Sequence, residues 1–198
     1  MFSSLLLVGL VWATGTAAPL SPVSFSAVPT RPAAVHAVAA ETASPVAEKL
    51  TGEKVAEEEA FVALINAERS QRGLSTLTLD PMLTVTARAH SEEMCSQNYF
   101  DHQSPTPGLT SPMDRYLCAL KQLGQSQPQY LLVGENIYYC SAFNDIYNVD
   151  YAHRAFMASP GHRANILEPR FAKVGIGIYR NAKGEFWVTE MFSRDRTP

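Results

Sequence analysis

Val174-Gly175-Ile176-Gly177-Ile178 alternates three β-branched residues with two glycines. The branched residues favour a pleated strand and share one of its faces. The glycines leave the other face without side chains, so a second element can approach the backbone closely. Asn181-Ala182-Lys183-Gly184 then turns the chain, and Glu185 to Ser193 returns as a second strand. A strand that is bulky on one face and bare on the other lets a neighbouring element lie close against it. A sheet sandwiched between helices is the expected arrangement.

The preceding sequence supplies those helices. Phe61, Leu64, Ile65 and Glu68 recur at helical spacing and Gly73 offers a left-handed stop, which predicts a helix over 57–72. Glu57, Glu58 and Glu59 are expected at its positive end. Asp80-Pro81 is an acidic N-cap followed by a proline, and Leu83, Ala87, His90 and Met94 repeat behind it, predicting a helix over 81–97. A third helix starts at Ser111-Pro112-Met113-Asp114 and stops at Gly124. Gln129 to Tyr139 reads as a strand. A fourth helix is expected over 144–158, ended by Pro160-Gly161, with a short helical turn over 163–167. Helices first, strands later and a closing hairpin indicate an α+β chain, not a doubly wound one.

The amino end differs from this patterned part. An apolar run from Leu5 to Trp12 is too short to span a bilayer, and Thr16-Ala17-Ala18 follows it, as in a secretory signal peptide over 1–18. Residues 19–56 are rich in Ala, Pro, Val, Ser and Thr, with prolines at 19, 22, 29, 32 and 45, and read as a flexible linker. The domain proper is then 57–196, secreted or held at the cell envelope, with no transmembrane segment in the mature chain. The net charge is −3, and from Ala60 onward 13 acidic side chains balance 13 basic ones. A near-neutral domain with no basic strip argues against a nucleic-acid partner. Cys95, Cys118 and Cys140 allow one disulfide. Cys118 with Cys140 is the preferred pair, although spacing alone does not fix it.

Several polar residues stand where apolar ones are expected. Glu190 shares a strand face with Phe186, Val188 and Phe192, so it lines a cleft or reaches solvent from a sheet edge. Gly134-Glu135-Asn136 interrupts the run from Leu131 to Tyr138, either facing a cleft or forming a bulge that exposes Glu135. His102 lies on a loop behind Tyr99 and Phe100, and His162 follows Ser159-Pro160-Gly161. Two imidazoles with carboxylates are a ligand set for zinc or another divalent cation. His90 falls on the apolar face of the second helix and reads as a core histidine donating to a backbone carbonyl. His153 reads as structural or solvent-facing, and His36 belongs to the linker. No His-Glu-x-x-His helix, Gly-x-Ser-x-Gly elbow or phosphate-cradling glycine loop is present.

These segments, taken in order, resemble the CAP superfamily, the domain shared by cysteine-rich secretory proteins, antigen 5 and pathogenesis-related proteins. The bacterial secreted branch, or SCP-like domain, is the nearest in pattern. The resemblance is carried by 61–69 (FVALINAER), 87–94 (ARAHSEEM), 99–102 (YFDH), 134–136 (GEN), 159–167 (SPGHRANIL), 174–177 (VGIG) and 187–192 (WVTEMF). It implies an α-β-α sandwich with a central antiparallel sheet and a cleft holding two His and two Glu. His102, Glu135 and His162 match three of these. Ser159 stands where the second Glu belongs, so Glu190 is the candidate to replace it, and Asn136 and Ser159 join the cleft. The implied functions divide three ways. One is a binding module for a small apolar, lipid or peptide-like ligand, with a divalent metal on His102 and His162. Another is a zinc-dependent hydrolase, peptidase-like, with Glu135 or Glu190 as catalytic base. The third is a non-catalytic envelope interaction protein.

Overall fold

The computed structural model describes residues 45–124, 130–141 and 149–195. In chain order its elements are α1 (Pro45–Ser70), β1 (Thr78–Leu79), α2 (Pro81–Ser96), α3 (Pro112–Gln122), β2 (Tyr130–Cys140), α4 (Val149–Ala158), α5 (Pro160–Ile166), β3 (Lys173–Arg180) and β4 (Phe186–Asp195). The sheet order is β1-β3-β4-β2. β3 and β2 both pair antiparallel with β4, and β1 pairs parallel with β3. The sheet is therefore mixed, not wholly antiparallel as expected. Its extra strand is two residues long and leads into α2, held by Thr78 N–H to Ala172 O and Asp80 N–H to Val174 O.

Strand alternation sorts the core into two layers. Val174, Ile176 and Ile178 point toward α1, α4 and α5, where they pack with Phe61, Ile65 and Phe156. On the other face, Met191 packs with Leu83 and Ala87 of α2 and Tyr116 and Leu120 of α3. The bare glycine face is where α2 lies. A Cβ on Gly175 would sit 2.2 Å from the Leu83 backbone carbon, and one on Gly177 would sit 2.1 Å from that of Ala87. Four helical residues rise about 6 Å and two strand residues about 6.6 Å. One turn of α2 thus keeps step with each glycine of β3. Ser91, a turn further on, donates its hydroxyl to Gly177 O (2.9 Å).

The helix starts follow their sequence signals. Asp80 accepts from Met82 and Leu83 N–H. Ser111 and Asp114 form a capping box on α3. On the far side of the sheet, buried Arg69 donates to the carbonyls of Ser75, Ile166 and Glu168, tying the end of α1 to the α5–β3 connection.

Several boundaries differ from expectation. The first helix begins at Pro45, not at 57, so residues 45–56 are helical and not linker. Proline is compatible with a first helical position, and the Ala, Glu, Lys and Leu residues behind it are good helix formers. Glu57, Glu58 and Glu59 consequently lie inside α1. Glu58 finds its partner across the structure, in Arg88 of α2 (Nε–Oε1 2.7 Å). Pro160 opens α5 instead of merely closing α4. The expected start of α4 at 144, and the signal peptide and linker over 1–44, lie outside the described residues. Cys95, Cys118 and Cys140 are all free thiols. The expected Cys118–Cys140 pair does not form: Cys118 borders a hollow between α2 and α3, while Cys140 ends β2 opposite Phe186.

The close approach of α2 makes a sharp prediction. Gly177→Ala places a methyl group against helix backbone that cannot rotate away, and should cost about 3 kcal/mol or more. Gly161→Ala, where nothing lies within 4 Å, should change stability by less than about 0.5 kcal/mol. Urea unfolding of the two variants checks the contrast.

Candidate functional site

Glu135 is the centre of the site. It lies on β2, an outer strand of the sheet, and its side chain turns toward the α2–α3 layer, being paired with Met191. Its carboxylate is buried and fully engaged. Oε1 lies 2.9 Å from His102 Nδ1 in a hydrogen bond, and Oε2 accepts from Arg115 Nη2 at 2.5 Å. Arg115, on α3, is itself buried, and its Nη1 donates to the carbonyls of His102 and Leu109. One guanidinium therefore fixes both the carboxylate and the loop that carries the histidine. The His102 ring is about half exposed, with a side-chain accessibility of 49%. The hydrogen bond to Glu135 raises its pKa, outweighing partial burial.

His90 completes this cluster and does so differently from expectation. It is wholly buried, but no backbone carbonyl accepts from it. Nδ1 lies 3.3 Å from the Tyr99 hydroxyl, and Nε2 lies 3.8 Å from Glu135 Oε1 without a hydrogen bond. Burial lowers its pKa first, with Glu135 acting in the opposite sense. The Tyr99 hydroxyl also donates to Glu93, which accepts from Ser104 and Thr106 as well. Sequence reasoning does not single out Arg115, Glu93 and Tyr99 as site residues. Arg115 has one available signal, an arginine among the apolar residues of α3. Beside this cluster, α2 and α3 enclose a hollow of about 300 Å³ lined by Val85, Ala89, His90, Leu109, Arg115 and Ala119.

The second half of the expected constellation lies on the opposite face. Asn136 follows Glu135 by one residue, so the pleat turns it toward α5. Its amide donates to His162 O (3.1 Å) and to Glu190 Oε2 (2.8 Å), and it accepts from Asn165 (2.8 Å). Glu190 is neither at an edge nor in an open cleft. It sits on β4 between β3 and β2, fully buried, with Oε1 unpaired. Burial pushes its pKa up to about 8, against the opposing hydrogen bond from Asn136. It is thus mostly neutral near pH 7 and shut away from solvent. Glu135 and Glu190 do not share a pocket, so Glu190 does not replace the carboxylate missing at Ser159. Ser159 precedes α5 without a side-chain capping bond.

The His162 ring packs edge-on against Phe156, with centroids 5.2 Å apart. Burial lowers its pKa, and the nearby His102 charge lowers it further. The two imidazoles are near enough for the charge of one to act on the other, while Glu135 at His102 and Asn136 at the His162 carbonyl lie on different faces of β2. His153 is buried beside Phe61, as a structural residue would be, although neither ring nitrogen has a partner. Gly134 is not a bulge. It pairs with Phe192, and a Cβ there would meet the Phe171 ring at 2.7 Å. Among the described residues no group of three or more His, Cys, Asp and Glu is disposed to hold a metal. No helix among them is long and apolar enough to cross a membrane.

These shifts fix the sign of the pH response. His102 titrates above 6.5 when folded, so its stabilising contribution is complete below the unfolded value and disappears as pH rises through the folded one. His90 and His162 titrate below 6.5, so acidification from pH 6.5 draws protons to the unfolded chain and destabilises the fold. Glu190 opposes stability increasingly from about pH 4.5 to about 8, where only the unfolded chain ionises. Glu190→Gln preserves an acceptor for Asn136 and removes that cost. Its melting temperature should exceed wild type by several degrees at pH 8 and by little at pH 4.5. NMR titration should place His102 highest of the three histidines, and Glu135→Gln should lower it.

Comparison with known proteins bears on the same segments. Residues 62–192 match the family model for CAP, the cysteine-rich secretory protein family. The uncharacterized protein YkwD of Bacillus subtilis is 39% identical over 137 residues, which are 69% of this chain and 47% of that protein. The uncharacterized membrane protein YlbC of the same organism is 31% identical over 62% of this chain and 32% of its own length. The chain thus spans less than half the length of these curated relatives. Among solved structures, an extracellular SCP-domain protein from Bacillus anthracis superposes with a TM-score of 0.61 at 28% identity, covering 79% of this chain and 45% of that one. An outer surface protein from Borrelia burgdorferi shares the fold, with a TM-score of 0.59 at 16% identity over 74% of this chain and 96% of that one. The sheet between two helical layers, the ordered segments and these matches together make the chain a member of the CAP family, of the bacterial SCP-like type.

Proposed function

We propose that this CAP domain is an extracellular binding module. It takes a small apolar or peptide-like ligand beside the Glu135 cluster and holds an exchangeable divalent cation on His102 and His162. The arrangement of His102 carries the reading. Glu135 engages Nδ1, which leaves Nε2 of a half-exposed imidazole as the donor atom. A carboxylate behind a histidine is the usual outer support of a metal-ligating imidazole. The depressed pKa of His162 keeps that ring neutral and able to donate a lone pair. Zinc bound there would offer a Lewis-acidic centre. Glu135 and Arg115 would orient the His102 ring, and Asn136 the chain at His162.

The donor set fits a weak site better than a catalytic one. Catalytic zinc normally keeps three protein ligands. Glu135 is saturated by His102 and Arg115, and Glu190 is buried behind the sheet. Neither is placed as a free base, so the hydrolase reading has no support in the geometry. The hollow between α2 and α3, at about 300 Å³, lies at the small end of ligand pockets and suits a compact apolar group. Secretion is inferred from the apolar amino-terminal run and from the extracellular B. anthracis relative. A non-catalytic envelope interaction protein is compatible with the same surface, but no particular contact favours it.

Calorimetric titration with zinc tests the metal site. One saturable site per chain is expected. His102→Ala and His162→Ala should each abolish it, and Glu135→Gln should weaken it by about 10- to 100-fold. Zinc binding unchanged in the doubly substituted chain would sink the proposal. For the hollow, Ala119→Trp should displace a fluorescent fatty-acid probe that binds wild type; equal binding by both chains would refute the assignment.

A further inference from the structure

A second pocket lies about 13 Å along β2 from Glu135, since Tyr139 is four residues further on. Its volume is about 360 Å³, and Asn98, Tyr99, Phe100, Tyr139, Glu185 and Trp187 are among its lining residues. Across the sheet, Tyr179, Trp187 and Tyr139 form an aromatic row, with Trp187 centred 6.3 Å from Tyr179 and 4.9 Å from Tyr139. The loop after α2 adds Phe100, 6.0 Å from Tyr139. Trp187 is buried, but Phe100 is 50% and Tyr139 37% exposed. Two adjacent rings, tilted 46° to one another, are thus partly exposed side by side at this pocket.

The rim is polar and partly preorganised. Glu185 accepts from the Tyr139 hydroxyl (3.1 Å) and from the Asn181 amide, and these bonds lower its pKa, so it is an ionised acceptor. Lys183 brings one ammonium to the same pocket. Asn98 sits just beyond the end of α2 at φ 54°, the one non-glycine residue with positive φ among those described. It turns the chain so that Tyr99 and Phe100 enter the pocket wall.

We propose that this pocket, which shares the Tyr99 ring with the Glu135 cluster but includes neither His102 nor His162, is a saccharide-binding subsite independent of the metal reading. Aromatic rings stack on the C–H face of a pyranose, while the fixed Glu185 carboxylate and the Asn98 amide recognise its ring hydroxyls. The polar, open rim does not suit an acyl chain. The ionised Glu185, with a single lysine opposite, disfavours a phosphate-bearing nucleotide on the same rings. A neutral sugar is the chemistry that satisfies both the platform and its rim.

The test uses the full chain with the N-acetylglucosamine tetramer as probe, followed by saturation-transfer NMR and calorimetry, with AMP as the competing aromatic ligand. Saturable tetramer binding should weaken at least tenfold in Phe100→Ala and in Tyr139→Ala. It should persist in Tyr139→Phe, which keeps the ring, and in His102→Ala, which affects only the other site. Phe100 is half exposed, so its loss should leave the melting temperature unchanged. Absence of saturable binding, binding indifferent to both alanine variants, or tighter binding of AMP than of the tetramer would each overturn the assignment.

Discussion

The contact between the α2 backbone and the glycine face of β3 organises the rest of the structure. With Gly175 and Gly177 offering no side chains, the helix rests on the strand itself, in step with it turn for turn. Every residue of α2 then has a fixed position over the sheet. Ser91 meets Gly177 and Thr189. One residue earlier, His90 is delivered to Glu135 and Tyr99. A helix held off by ordinary side chains would sit several ångströms further out, and its imidazole could not approach the strand that carries the carboxylate.

The second constraint is the pleat of β2. Adjacent residues on a strand face opposite ways, so Glu135 and Asn136 belong to different halves of the molecule. One closes a charged cluster with Arg115, His90 and His102. The other closes a neutral one with Asn165, Glu190 and the His162 carbonyl. The charge of His102 is felt at His162 where β2 ends the sheet, the one residue lying on a loop after α2 and the other on the short helix α5.

Much of the fold is legible in the sequence because its signals are local. The glycine alternation, Asp80-Pro81, Ser111-Pro112 and the Asn181–Gly184 turn each act through neighbouring backbone. The start of α1 is not legible, because Pro45 reads as a breaker when counted with other prolines, yet it is compatible with a first turn. The glutamate interruptions at 135 and 190 mark real polar positions, but periodicity alone does not say on which side of the sheet each falls relative to β2. His90 reads as a core residue from its helix face, and it is buried. Glu93, three residues on along α2, is a neighbour that helix spacing sets, but Glu135 and Tyr99 depend on β2 and on the chain just beyond α2, whose positions helix periodicity does not set. Arg115 is hidden for a related reason: its worth lies in four acceptors, the carbonyls of His102, Leu109 and Thr110 and the Glu135 carboxylate, none of them on its own helix.

The separation of the two glutamates also bears on what the domain can do. A hydrolytic site needs a base that is both ionised and within reach of water. Glu135 has both oxygens occupied, and freeing either would take the carboxylate away from the buried guanidinium of Arg115 or from the His102 ring. Breaking such a buried pair costs several kcal/mol. Glu190 is fully buried with its pKa pushed up to about 8, and its Oε2 accepts from Asn136 on the other face of the sheet. The remaining reactive surface is the outward nitrogen of His102, steadied from behind by a carboxylate that is itself immobilised. Rigid support of one imidazole by a carboxylate that a buried guanidinium holds in turn is what this side of β2 provides.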